Sequence, residues 1–570
     1  MCINREYISG KVIHNNKLYS NKEILELVDR IKSYILNNYN GITMVAVAMP
    51  KSVYLLSTIL ALLDCRITYL ILDLEVQPKE RIDYILEDSG VNTILSISTL
   101  NYDFKDKNVI NIDNINKETK LNNYYMVNSD NELAYIIYTS GTTGYPKGVE
   151  IYRNSLVKFV NGITEIISFS KNDRIVSFTS PSFDIFFLEA ILPLYLGMTV
   201  ILSTVSESKN PQSMIALILN NNVNILQLTP SGLRLLNAVD KKFKFLKNVH
   251  TIMIGGEVFP GELLSELQSL KNIKIYNMYG PTETTIWSSV ANLTYSNYVH
   301  LGEPINDTEI FLLDENMHSV ACGEKGEICI SGGGLARGYY NNRELTKQRF
   351  CKIQELHNKL VYKTGDIGFV NSTGDLIYVG RLDNQIKNKG HRIELEDIEL
   401  NILQIEEVDS AVVCFEDDRK ELITFYTSKK GDISKMIYSQ LKIKLPEYMI
   451  PHKFILAKNF LYTSSGKIDR KNMLEKYYSN VVMNDNDDLK LNKEIKETIL
   501  SIVSKHINIK TSEIDFFIPL SDIGFDSITY VEFIVELESK FNIEFQENVL
   551  VINYFKNLEE LYMCVSELKN

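Results

Sequence analysis

From residue 22 to about 300 the chain predicts an α/β fold with largely parallel sheets, and two observations carry that expectation. Short apolar runs of strand length recur at TMVAVAM (43–49), TYLILD (68–73), IVSFTS (175–180), TVILST (199–204), VNILQLT (223–229) and TIMIGG (251–256). Between them lie stretches with helical patterning, and such alternation marks strand–helix–strand units. A different texture follows. Residues 308–380 are β-rich, with EIFLLD, GEICISGG and DLIYVGR. The segment GRLDNQIKNKGHRIELEDIE (380–399) passes from a strand through a charged loop into an acidic helix start, and 400–471 reads as a small α+β domain. The polar run NDNDDLKLNKE (484–494) has the composition of a linker. Beyond it Ile495, Ile499 and Val503 repeat at helical spacing. A further helix, opening at Ser527, carries an apolar face of Ile528, Val531, Ile534 and Leu537.

Length and charge narrow the function. At 570 residues the chain exceeds one core, so about three or four domains are expected. A net charge of −12 without a basic stripe argues against a nucleic-acid binder that works by phosphate neutralisation. The longest apolar stretch, VYLLSTILALL (53–63), is too short to span a bilayer, and MCINREYISGK lacks the apolar core of a signal peptide. Seven cysteines are scattered with no CxxC pair, which suits reduced thiols in a cytoplasm and argues against a zinc site.

Three stretches carry chemistry. YTSGTTGYPKG (138–148) gathers glycines and hydroxyls around Lys147 behind the apolar run LAYIIY (133–138). It reads either as a solvated loop or as a phosphate cradle, with glycines admitting the anion and Lys147 meeting its charge. It is not the P-loop NTPase pattern, because Lys147 precedes Gly148 and no Gly-Lys-Ser/Thr step opens a helix. In NMYGPTETT (277–285), Asn277 and Tyr279 can hold and stack on a flat heterocycle, Thr282 can reach a phosphate oxygen, and Glu283 offers a hard ligand for Mg²⁺. A capped Gly-Pro turn is the plainer alternative. In YKTGDIG (362–368), Asp366 can accept both hydroxyls of a ribose, or simply stabilise a turn.

In this order the three resemble the adenylate-forming superfamily, and specifically the adenylation domains of nonribosomal peptide synthetases. The resemblance covers about residues 20–478. It also rests on SFDIFFLEAIL (182–192), GEICISGGGLARGY (326–339), GRLDNQIKNKGHRIELEDIE, LPEYMIP (445–451) and SSGKIDRK (464–471). The stretch LLDCRITYLILD (62–73) departs from the family, with Cys65 where Gly is usual and no Pro near Ile71.

The resemblance implies a large multi-sheet N-terminal subdomain (1–381), a small α+β subdomain (382–478) and a linker (479–492). An all-α four-helix carrier domain (493–570) would follow. Thr139, Ser140, Gly141, Thr142, Thr143, Gly144 and Lys147 would grip the β- and γ-phosphates of ATP, and Asn277, Tyr279, Asp366 and Arg381 the nucleoside. Thr282 would meet the α-phosphate, Glu283 would hold Mg²⁺, and Lys467 would stand between carboxylate and phosphate. Attack of a carboxylate on the α-phosphorus brings two anions together, so positioning and cationic neutralisation should dominate. Asp383 matches the hinge about which the small subdomain swings between the two half-reactions.

Asp184 matches the residue that pairs with an amino acid's α-ammonium. The remaining walls implied are Ile185, Leu188, Gln227, Met253, Gly255, Met278, Ile286 and Trp287, a set similar to the family's glycine-selecting pattern. Two methionines and the chain's single tryptophan would leave little room for a side chain. Glycine is the expected substrate, with alanine second. GFDSI resembles a carrier attachment motif, so Ser527 would bear 4′-phosphopantetheine, although Asp526 stands where many peptidyl carriers have His. The expected partners are a phosphopantetheinyl transferase and a downstream enzyme acting in trans, since the length leaves no room for a condensation or thioesterase domain. A D-alanyl or other acyl carrier ligase, and a catalytically silent scaffold, are the alternatives.

Overall fold

A computed structural model describes residues 5–39, 41–116, 132–141, 144–417, 419–461 and 468–507. It also describes 511, 514, 516, 520, 525, 527–545, 549, 554–555 and 557–569, with the backbone alone at 479–494, 527, 528, 567 and 569. The chain folds as two compact units, Met1–Asn459 and Phe460–Asn570.

Two large sheets make the frame of the first unit. In the nine-stranded sheet, Thr199–Leu202, Arg174–Ser177, Ile225–Leu228, Thr251–Gly255 and Lys274–Tyr279 run parallel side by side. In the seven-stranded sheet the parallel run is Leu133–Thr139, Thr68–Ile71, Met44–Val47, Thr93–Ser96 and Asn108–Asn111. The helix Val53–Asp64, capped by Ser52, is the apolar stretch noted above. It lies in the core that both sheets share, with Leu56, Leu60, Tyr135, Ile175, Met253 and Met278. A helix that is predominantly apolar on all sides suits a position between two sheets.

An antiparallel five-stranded sheet follows, with Gly326–Gly332 and Lys359–Val370 at its centre. The charged loop of 380–399 is a two-stranded hairpin, Gln385–Asn388 with His391–Glu394, turning at Lys389 and Gly390 in left-handed backbone. It leads into the helix Leu395–Leu403 and the small α+β body, whose sheet is Ser410–Glu416, Glu421–Thr427 and Lys453–Leu456.

The second unit contains the helices Arg470–Ile507, Ser527–Phe541 and Leu558–Lys569 among its described residues. Residues 479–492, expected to be a linker, continue the first of these helices. The stretch holds no Gly or Pro to stop the helix, so polarity alone does not end it. Ile495, Ile499 and Val503 are buried, as their spacing implies. On the second helix the buried face is Tyr530, Phe533, Ile534 and Leu537, and Val531 is half-buried at its edge.

Candidate active site

The strand ends of both large sheets, the turn Thr282–Thr284 and the hairpin 385–394 surround one cavity. Thr139, Ser140, Asp184, Ile185, Thr282, Ile286, Trp287, Asp366 and Arg381 line it, as do Lys387, Gly390 and Arg392 of the hairpin. A neighbouring cavity is lined by Asn277, Met278, Tyr279 and Lys387. Three stretches far apart in the chain are thus brought together.

Hydrogen bonds to neighbouring protein groups hold several of these side chains. Asn277 Nδ2 donates to the carbonyl of His300 at 2.8 Å, which fixes the amide plane beside the second cavity. Tyr279 OH donates to Asp366 Oδ2 at 2.7 Å, while Arg381 Nη1 donates to Asp366 Oδ1 at 2.6 Å. The same guanidinium grips Asp383 through Nε (2.6 Å) and Nη2 (2.9 Å). The expected ribose-binding carboxylate and the expected hinge residue therefore share one arginine, and Asp383 in turn holds its carboxyl below the usual range through that contact despite burial.

In the glycine-rich loop, Ser140 Oγ donates to the carbonyl of Arg392 at 2.8 Å, and Thr139 Oγ1 is buried without a partner among the described residues. Gly141 is required by crowding: a Cβ there would lie 2.2 Å from the Tyr145 carbonyl oxygen. Lys147 is buried 3.6 Å from Glu394 and 5.1 Å from the centre of the Tyr339 ring. Burial and the nearby Arg392 lower its affinity for its proton. Thr142, Thr143 and Lys467 lie outside the described residues.

Glu283 is fully buried, with both oxygens occupied. Tyr339 OH donates to Oε1 and Arg392 Nη1 to Oε2, each at 2.7 Å. Burial alone would raise its pKa, but Arg392, Lys147 and the Tyr339 hydroxyl hold it down at about 2. The carboxylate is thus ionised, and a divalent cation could bind it only in place of Arg392. Among the described residues no three His, Cys, Asp or Glu side chains cluster as a metal site. A single carboxylate with phosphate oxygens is how Mg²⁺ is commonly held beside a nucleotide.

Asp184 lines the same cavity, 9% exposed, and its Oδ2 is buried with no hydrogen-bond partner among the described residues. Burial pushes its carboxyl up to about 6, against the pull of the Thr282 hydroxyl and the Ile185 amide. Leu188, Gln227, Met253, Met278, Ile286 and Trp287 are all buried; Ile286 and Trp287 line the same cavity as Asp184, and Met278 lines the neighbouring one. The Trp287 ring stands against Gly255, where a Cβ would lie 2.7 Å from both that ring and the Met278 carbonyl oxygen. Thr285 and Ile286 before it both have left-handed backbone, with φ of 64° and 69°. For a β-branched residue that conformation is strained. The turn is held by Thr285 Oγ1 donating to the Gly334 carbonyl at 2.7 Å.

Residues 5–340 match the AMP-binding enzyme family, and residues 497–565 match the phosphopantetheine attachment site family. The chain belongs to the AMP-binding enzyme family. This AMP-binding enzyme is 34% identical over 442 residues to the dimodular nonribosomal peptide synthase of Bacillus subtilis (strain 168), a match covering 75% of the chain. It spans 18% and 7% of the length of the first two curated relatives it matches. Holo-PA1221, a synthetase protein with adenylation and carrier domains, superposes with a TM-score of 0.74 at 20% identity. That match covers 98% of this chain and 94% of the other. A four-domain nonribosomal peptide synthetase, holo-AB3403, solved with AMP and glycine, gives a TM-score of 0.59 at 26% identity, covering 99% and 42%. The AMP-binding enzyme is thus an ATP-using adenylation domain followed by a carrier domain with a phosphopantetheine attachment site.

Several residues of the site lie in stretches that carry the family resemblance, yet their residue types alone assign them no role. Arg392, Lys387 and Tyr339 reach it from segments whose residue types are ordinary for a charged loop or a strand. Only the fold brings them to Glu283 and Tyr279, where Lys387 Nζ lies 5.8 Å from the ring centre. Ser527 begins the helix Ser527–Phe541, a backbone position where a phosphate's charge is favoured. Among the described residues no helix is long and apolar enough to cross a membrane.

Proposed function

We propose that the chain activates glycine with ATP and transfers it as a thioester to a pantetheine arm on Ser527. The observation that carries the choice of amino acid is the pairing of Asp184 with Trp287. The cavity is lined by a buried carboxylate whose Oδ2 has no partner among the described residues, and indole packed against Gly255 fills a neighbouring wall. An α-ammonium satisfies the first, and the second leaves little volume for a side chain. The four-domain synthetase solved with AMP and glycine supports the same reading.

In the first half-reaction a carboxylate oxygen of glycine attacks the α-phosphorus, and the bond to the bridging oxygen breaks to release pyrophosphate. Thr282 would face the α-phosphate, Lys147 the outer phosphates, and Lys467 the two approaching anions. A Mg²⁺ ion on Glu283 would neutralise phosphate charge, which requires Arg392 to leave that carboxylate. With Arg392 on Glu283 and Gly390 in the cavity wall, the seated hairpin suits the second half-reaction. In that step the pantetheine sulfur bonds to the acyl carbon and AMP departs. Asp383, bound by Arg381, is the proposed pivot between the two arrangements.

Intact-mass measurement of pantetheinylated protein supplied with ATP and mixed amino acids tests the reading. One added glycyl group is expected. Uptake of alanine or of a short fatty acid in preference to glycine would reject it. Trp287→Ser should admit larger amino acids, since a hydrophobic pocket gains about 1–3 kcal/mol of discrimination per methylene-sized change. Pyrophosphate exchange that still responds to glycine alone in this variant would show that Trp287 does not form the wall.

A further inference from the structure

Lys51 stands just before the helix Val53–Asp64 and is only 5% exposed. Its Nζ donates to three successive carbonyls, those of Ser177 (3.3 Å), Phe178 (2.9 Å) and Thr179 (3.3 Å), and to Ser203 Oγ (2.9 Å). Ser203 Oγ in turn donates to the Ser177 carbonyl at 2.7 Å. An isolated ammonium here is costly to bury. Burial lowers its pKa to about 8, and the charge of Glu189 is the largest influence opposing that fall.

Glu189 grips the same segment from the other side. It is 1% exposed on the π-helical turn Phe187–Ile191, which also carries the wall residue Leu188. Its carboxylate accepts from Thr179 N (3.0 Å) and Thr179 Oγ1 (2.7 Å). Asp73, beyond the strand Thr68–Ile71, accepts from the Ser180 hydroxyl, which lies 2.8 Å from Ser182 Oγ. Residues 177–182 are therefore held by buried ionisable groups from three separate elements. Two residues further on is Asp184. Single π-turns recur at functional sites, and a productive site needs its contacting residue locked by surrounding hydrogen bonds.

We propose that Lys51, Glu189 and Asp73 are positioning residues for recognition of the substrate ammonium, holding the 177–184 segment so that the free oxygen of Asp184 faces the cavity. The inference rests on the amino-acid reading of the site above. None of the three need touch the substrate. Their effect should fall on the amino group and spare the nucleotide, because Lys51 and Glu189 spend their hydrogen bonds on the segment that presents Asp184.

Two non-hydrolysable adenylate mimics separate these effects: glycyl sulfamoyl-adenosine and its glycolyl counterpart, with hydroxyl in place of ammonium. Their dissociation constants would be measured on the full pantetheinylated chain. The wild-type protein is expected to prefer the amino mimic. In Lys51→Met that preference should fall about tenfold, the scale of lost hydrogen bonds to a charged group, with ATP and the hydroxyl mimic bound as before. Lys51→Arg should restore most of it. Thr179→Val and Ser180→Ala, which remove one hydroxyl each and leave the buried charges in place, should lower the preference in the same direction. They decide the matter if Lys51→Met does not fold. An unchanged preference in the folded variants, or parallel weakening of both mimics, overturns the positioning role. Equal binding of both mimics by the wild-type protein would instead defeat the amino-acid reading, and the positioning role with it.

Discussion

In the proposed reading Asp184 is the residue on which substrate choice turns, and its burial would make that choice sensitive to acid. The carboxyl must be ionised to meet an ammonium, yet burial lifts its pKa to about 6. In the free protein it is therefore neutral below that pH and charged above it. We expect kcat/KM for glycine in pyrophosphate exchange to fall as pH drops through about 6, since this ratio reports groups of the free enzyme. Asp184→Asn should remove that limb and raise the glycine KM about 100-fold or more, the usual penalty for removing one partner of a buried ion pair. On folding the sign is opposite. A carboxyl whose folded pKa exceeds the ordinary 3.8 contributes stability at low pH that is lost as pH rises through about 6.

At the scale of elements, the hairpin 385–394 deserves the most direct test. Its tip residue Gly390 has φ of +81°, and a Cβ there would lie 2.7 Å from Thr229 Cγ2. The Gly390 amide also donates to Glu257 Oε1 at 2.6 Å, and Glu257 Oε2 accepts from Ser231 Oγ at 2.6 Å. Gly390→Ala adds left-handed strain of about 1–2 kcal/mol to a steric contact. Thioester loading should slow about tenfold or more while pyrophosphate exchange, which in the proposed division of steps does not need the seated hairpin, changes about twofold at most. Equal loss of both would disprove the division of labour. The hairpin also marks where a single sequence stops being informative. The apolar runs from 43–49 to 251–256 all became strands because each had to be buried between helices and a sheet, which is a local constraint written in composition. Likewise Lys147, Glu283 and Asp366 stood out through glycine-rich or turn-rich neighbours. Arg392 and Lys51 did not, because their roles come from partners 109 and 126–128 positions away. The helix through 479–492 was missed for the converse reason: its composition is polar, but nothing in it forbids the helical hydrogen bonds.

For the molecule as a whole, the separate cores of the two units imply separable functions. The first unit packs around the shared core of its two large sheets, the second around Ile499, Val503, Phe533, Leu537 and Leu561. Ser527→Ala should abolish glycyl loading by intact mass yet leave pyrophosphate exchange within about twofold of wild type, because the proposed first half-reaction makes no use of the pantetheine thiol. A large fall in exchange would show that the units communicate. Glu283 has a consequence for handling the protein. Because an arginine and a tyrosine already satisfy this carboxylate, magnesium is not ballast that the resting fold leans on. A chelator should stop turnover and leave the melting temperature where it was.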